Sequence, residues 1–397
     1  MKTNLWQIVL LILFASLVVF FRFNQVPKNL SFDEVEFAKL AVNLNKHPYI
    51  PYSNLATGHS TLYFYIILIS FKIFGVNNFA LRFPSALFGV LNIILFYLIV
   101  NIVFKRNNSF RFLPLILAFI FITLRWYFNF ARFAFETTFL LFFELGALFY
   151  LIKEKPNYIL SGLLAGLAFN SYTPGRIFFL VPLFYLFITK NRTKLLHFLI
   201  PFAIVILPLA LYLVRYPDIR FNQQSYLTNP NIAPINKINY FAQNVGKTIL
   251  MFDLRGDVNG RHNYPFKPAL NPAVGSFFIF GLIITIINRR KPINRLFLVY
   301  FLIGLLPALF TYPHENPHML RTFTVLPSLV YFIGQTIILI IKKTPNKYLN
   351  TITFGLLILF SLSALYDLRT YYRYQNQVFQ QAFEVKQDLS QIIKTKL

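Results

Sequence analysis

The sequence predicts an all-α, polytopic membrane protein, and three observations carry that prediction. Apolar runs long enough to cross a bilayer recur from end to end. Charged residues make up 13% of the chain, against about 25% in a soluble domain. Short Lys/Arg clusters punctuate the apolar runs, where the positive-inside rule places them. The 38 Lys and Arg against 13 Asp and Glu give a formal charge of +25. Because the cations are confined to short links between apolar runs, no nucleic acid partner is inferred from that charge. The absence of cysteine excludes disulfides and thiolate metal sites.

The first element is Met1-Lys2 followed by an apolar run of about eighteen residues. No small-residue cleavage site follows it, so it reads as an uncleaved signal anchor. The spans are read at 5–22, 82–104, 112–130, 135–152, 158–173, 175–189, 195–215, 272–288, 294–311, 321–341 and 348–366, about eleven in all. The run "TLYFYIILISFKIFG" (61–75) decides their orientation. If it spans, the basic links at 105–111, 153–157, 190–194, 289–295 and 342–347 fall on the side opposite Lys2. If it lies flat at the interface, Lys2 and all five links share the cytoplasmic side. The run is short and carries Lys72, so it is read as a horizontal juxtamembrane helix.

The bundle is expected to occupy 1–366, with outer loops 23–81, 216–271 and 312–320. A short extracytoplasmic tail, 367–397, carries Val378, Phe379, Phe383, Val385, Leu389 and Ile392 at the spacing of an amphipathic helix. The N-terminus is placed in the cytoplasm and the protein in the plasma (inner) membrane. Most acidic residues then face outward with the long loops, where a site is expected.

Five outer constellations bear chemistry. In "SFDEVEFA", Ser31 caps a helix with Asp33 and Glu34 in its first turn, and a carboxylate at the membrane surface suits a general base. His59 opens the horizontal helix, and Arg82 sits at the mouth of the second span, free to snorkel or to bind substrate. Arg132 and Glu136, four apart, either pair on one helix face or line the site. The loop "MFDLRGDVNGRHNYP" presents Asp257, Arg261 and His262 and suits a phosphate or a sugar. In "TYPHENPHMLRTFTVLP", His314, His318 and Arg321 follow prolines that disfavour a regular helix. Elsewhere Gly162 and Gly166 suit close helix packing, Arg176 either snorkels or joins the site, and Glu144 in mid-span requires an unnamed partner.

In this order the motifs resemble the GT-C superfamily, in particular its protein O-mannosyltransferase and lipid A aminoarabinose transferase group. The carrying residues are Asp33-Glu34 after the first span, His59 at the horizontal helix, "NNFALRFPSALFGVL", the acid at the fourth span, "GDVNGRHNYP" and "NPHMLRTFTVLP". Gly58-His59-Ser60 stands where members often have His-Pro-Pro. The resemblance implies an inverting transferase that moves a sugar from a polyprenyl-phosphate donor to a hydroxyl of a lipid, glycan or protein acceptor. It implies Asp33 as the catalytic acidic position with Glu34 its partner, Arg82 and Glu136 as site-lining positions, and His318 and Arg321 near the lipid phosphate. A divalent cation, Mg²⁺ or Mn²⁺, stays open, with no metal ligands assigned. Two alternatives also stay open: a flippase for a lipid-linked sugar, and an O-antigen ligase or polymerase, which would not need Asp33.

Overall fold

A computed structural model describes residues 5–46, 48–104 and 110–393. Lys2 and residues 105–109 of the first basic link lie outside the described residues. The chain runs α1 (Leu5–Phe20), β1 (Leu30–Ser31), α2 (Phe32–Leu44), β2 (Tyr52–Ser53), β3 (His59–Ser60), α3 (Leu62–Phe74) and α4 (Asn78–Phe104). Next come α5 (Leu113–Thr123), α6 (Arg125–Ala131), α7 (Thr137–Ile152), α8 (Tyr158–Ser171), α9 (Leu180–Ile188) and α10 (Leu195–Arg215). After these follow α11 (Ile219–Gln224), α12 (Pro234–Asp253), α13 (Pro272–Ile287), α14 (Pro292–Leu309), α15 (Leu326–Lys343), α16 (Leu349–Arg369), α17 (Asn376–Ala382) and β4 (Glu384–Val385).

Every apolar run read as a span is helical. Among the described residues, five helices are long and apolar enough to cross a membrane, or six if the bent α5–α6 pair is one span. The other apolar helices hold 10–17 residues. Helix α3 is one of these: 13 residues reach roughly 20 Å, short of the hydrocarbon thickness.

Two elements differ from expectation. The run 112–130 is not one straight span but two helices bent by 63° on either side of Leu124. Arg125 opens the second helix fully buried, and its guanidinium is taken up by Asn263 and by the Pro268 carbonyl (2.9 Å). A charge at that depth needs such partners, and the bend delivers it to them. The tail is the second difference. The last long helix runs from Asn346 to Ala382, with a π-helical turn at Thr370–Gln375 between α16 and α17, so position 366 falls inside it. Beyond Ala382 the expected amphipathic helix gives way to β4, which pairs antiparallel with β1, Leu30 opposite Val385 and Ser31 opposite Glu384. Val385 is a strand residue because backbone groups of β1 are there to be paired, while Phe383 sits in the turn between α17 and β4, and residues Leu389–Ile392 close the tail as a short helix.

Close packing elsewhere follows the sequence. A Cβ on Gly162 would stand 2.1 Å from the Phe198 carbonyl, and one on Gly166 2.7 Å from Val205, so both glycines admit α10 against α8. Glu144 finds its partner in Tyr300, whose hydroxyl donates at 2.7 Å.

Candidate active site

Helix α2 begins at a complete capping box. Ser31 accepts from the Glu34 amide, and the Glu34 carboxylate accepts from the Ser31 amide at 2.9 Å. Glu34 is fully buried. Its two oxygens also take Arg82 Nε (2.7 Å), Arg82 Nη2 (2.9 Å) and the Ala134 amide (3.1 Å). With both oxygens engaged, Glu34 anchors the start of the helix and has no lone pair turned toward a substrate. Asp33, one residue earlier, points elsewhere: its side chain is 40% exposed and pairs with Arg261. The expected catalytic couple is therefore divided into an anchor and a presented carboxylate.

Two arginines expected to bind substrate are spent on backbone. Arg82, 2% exposed, donates to the carbonyls of Pro27 and Asn29 (both 2.7 Å) besides Glu34. Arg132, 1% exposed, donates to the carbonyls of Val19, Phe21, Arg22 and Val26 and to the Tyr371 hydroxyl, and it does not pair with Glu136. The segment leaving α1 turns a row of carbonyls inward, and these guanidiniums donate to them, alongside the Gln25 and Val26 amides that also reach the Arg22 carbonyl.

Glu136 instead accepts from His59 Nδ1 at 2.6 Å. His59 lies on β3, just before α3, rather than inside that helix. Burial first, and then the Arg220 cation, push its pKa below the ordinary value. On the other side of the ring, Nε2 lies against both the Ala56 carbonyl (2.9 Å) and Arg220 Nη1. Glu136, His59 and Arg220 thus form a continuous chain of contacts. Among the described residues Arg220 makes no salt bridge of its own, and its guanidinium lies 5.6 Å from the centre of the Tyr172 ring.

The two late loops meet. Asp257 Oδ2 accepts from His262 Nδ1 (2.9 Å) and from the Met319 amide (2.8 Å), and the rings of His262 and His318 are 4.9 Å apart. Burial and the surrounding Arg321, His262, Arg261 and Arg220 push the His318 pKa well below its usual range. Arg321 pairs with Glu315, and Arg176 with Asp218. His314 does not join the group; it is exposed and stacks on Tyr312.

Arg176, Arg220 and Arg321 line a cleft of about 460 Å³ whose other walls include Tyr172, Ile177, Leu306, Pro307 and Phe310. A separate, wholly apolar groove of about 520 Å³ is lined by Leu180 and Leu183 of α9 and by Val299 and Ile303 of α14, the helix that also lines the cleft. Arg220 and its helix cap Asp218 are the residues that sequence reading missed. Their only signal is Pro217-Asp218 directly after a long apolar run, a start sequence for a short helix.

Residues 58–215 match the family described as dolichyl-phosphate-mannose-protein mannosyltransferase. No curated protein matches the chain by sequence. ArnT from Cupriavidus metallidurans, solved bound to undecaprenyl phosphate, superposes with a TM-score of 0.59 over 90% of this chain and 64% of its own, at 13% identity. The chain has the GT-C fold. A second GT-C structure, the archaeal oligosaccharyltransferase AglB from Archaeoglobus fulgidus in complex with an inhibitory peptide and a dolichol-phosphate, superposes at 0.55 over 96% of this chain and 56% of its own, at 14% identity. This GT-C chain therefore spans just under two thirds of the length of the first and just over half of the second.

Asp257, His262 and His318 offer donor atoms that all lie within 4.8 Å of one another. Two imidazoles with one carboxylate form a nitrogen-rich set that suits zinc-type ions better than Mg²⁺ or Mn²⁺. Asp257 orients His262 through Nδ1 and leaves Nε2 available.

Proposed function

We propose that this GT-C chain transfers a sugar from a polyprenyl-phosphate donor to an acceptor hydroxyl, with inversion, at the loop-bearing end of the bundle. The observation that carries the reading is one cleft whose walls combine Arg176, Arg220 and Arg321 with apolar side chains of α14, Leu306 and Pro307, and with Phe310 just after it. A lipid phosphate needs both: guanidiniums for the head and an apolar path for the prenyl chain. The match to a dolichyl-phosphate-mannose-dependent family and the undecaprenyl phosphate held by ArnT support the same donor class.

The chemistry is a single displacement. The acceptor oxygen attacks the anomeric carbon and its proton passes to the Asp33 carboxylate. The bond from the anomeric carbon to the phosphate oxygen breaks, and its electron pair leaves with the lipid phosphate. Arg220 and Arg321 face the charge that grows on that oxygen, and fixed cations in a partly dry site stabilise it strongly. Arg261 holds the Asp33 carboxylate in place. His318, kept neutral by burial, is available as a hydrogen-bond partner to the phosphate or its sugar. A divalent ion, if bound by His262 and His318, would supply a further positive charge beside the same loops.

The test is transfer from a radiolabelled polyprenyl-phosphate sugar by protein reconstituted in liposomes. Asp33→Asn should lower transfer by about 10²- to 10⁴-fold, the usual contribution of a general base, while still binding the lipid. Undiminished transfer by that variant sinks the mechanism. Lipid movement across the bilayer without sugar transfer would favour a flippase.

A further inference from the structure

We propose that the segment from Val378 to Val385 is a clasp that positions the Asp33–Arg261 pair. This rests on Asp33 acting as the base. Three contacts carry it. Strand β4 pairs with β1, and Glu384 Oε1 accepts from the Asn29 amide at 3.2 Å. Because Ser31 of β1 is also the cap of α2, β4 holds the point from which Asp33 is projected. From the other side, the Phe383 ring faces the Arg261 guanidinium, 5.5 Å from ring centre to Cζ. Arg261 is held along its other edge by Asn259 Oδ1, at 3.2 Å from Nε. Finally, a Cβ on Gly260 would lie 2.8 Å from both Val378 and Phe383, so the clasp rests directly on the backbone next to Arg261.

The segment therefore supports both partners of one ion pair, although it is more than 100 residues distant from either in sequence. The pair itself is partly open, with Arg261 19% and Asp33 40% exposed. An exposed pair of this kind has little intrinsic hold on its own geometry, since solvent competes for both groups. Stacking on Phe383 restricts the guanidinium to one plane. Phe383 and Val385 are positioning residues, and neither is placed to touch the reacting atoms.

The chain has no cysteine, so Leu30→Cys combined with Val385→Cys admits one disulfide only. Mild oxidation in membranes should cross-link this variant and leave transfer intact. Phe383→Ala should lower kcat about ten-fold with the donor KM unchanged, a modest misplacement of a reacting group. Phe383→Tyr, which keeps the ring face, should restore it. In an Arg261→Gln background, Phe383→Ala should change nothing further, because the contact it removes is already absent. A disulfide that fails to form overturns the clasp irrespective of activity. An equal ten-fold loss in the Arg261→Gln background overturns its action through Arg261. Transfer that survives Asp33→Asn in a protein that does cross-link overturns the base assignment instead.

Discussion

Arg220 carries the sharpest prediction for donor binding. Arg176 and Arg321 each pair directly with a carboxylate, Asp218 and Glu315, whereas Arg220 contacts the His59 ring and a phenol ring, with Glu136 and Asp33 acting on it from further off. Among the described residues it is the cleft arginine with no direct salt bridge. Replacing it by Gln removes a charge-assisted hydrogen bond to phosphate, about 1.5–3 kcal/mol, which is about 10- to 150-fold in Kd. The upper end is reached only if the bound headgroup excludes water. Arg220 reaches the buried His59, so the melting temperature of the variant is read alongside binding to separate a loss of affinity from a loss of fold. The assay is binding of undecaprenyl phosphate to the purified protein in detergent, with undecaprenol as the uncharged control. The variant should lose affinity for the phosphate and keep that for the alcohol. Equal affinity for undecaprenyl phosphate in both proteins, or an equal loss for undecaprenol, would refute the assignment of Arg220 to the headgroup.

Two further predictions follow from the buried groups. Arg82→Ala leaves Glu34 buried without its partner and two carbonyls without donors, and should cost about 3–5 kcal/mol, read as a large fall in melting temperature. Adding Glu34→Gln should recover part of that loss, because it removes the stranded charge. For His318 the folded protein disfavours the proton that the unfolded chain accepts near its ordinary pKa of 6.5. Stability from this group is therefore complete above about pH 6.5 and is lost as the pH falls below it. The melting temperature of ligand-free protein should drop on acidification from pH 7 to 5.5, and drop less in His318→Gln. An identical pH profile for the two would remove His318 from the account.

The bundle helices were readable because each is an apolar run closed by polar or basic residues, and the cap at Ser31 because its Glu34 stands three residues on; α11 and α12, in the link read as an outer loop, carry no such run. The roles of the arginines were not. Arg82, Arg132 and Arg321 look alike in sequence, each an arginine in an apolar neighbourhood near the end of a span. What separates them is whether carbonyls of a distant segment lie within reach, as Val19 to Asn29 do for the first two. Arg220 was invisible for the converse reason: it sits in an ordinary polar link and gains its meaning from His59, 161 residues away. The bend at Leu124 had a local signal in Arg125, a charge in mid-run, but its partners Asn263 and Pro268 come from a loop joined only by folding. The tail was misread because helical and strand spacing cannot be told apart over so few apolar residues once a partner strand decides between them.

On the proposed reaction, the arginines of the cleft bear on turnover as well as on binding. A sugar joined to a polyprenol through one phosphate is a phosphodiester carrying a single negative charge. The lipid that departs is a monoester whose second proton is lost near pH 6, so it carries close to two. A cleft lined by Arg220 and Arg321 attracts the spent carrier more strongly than the loaded one. On the proposed reaction, exchange of one lipid for the other, rather than breakage of the glycosidic bond, is then expected to limit the cycle, with accumulated carrier as its brake.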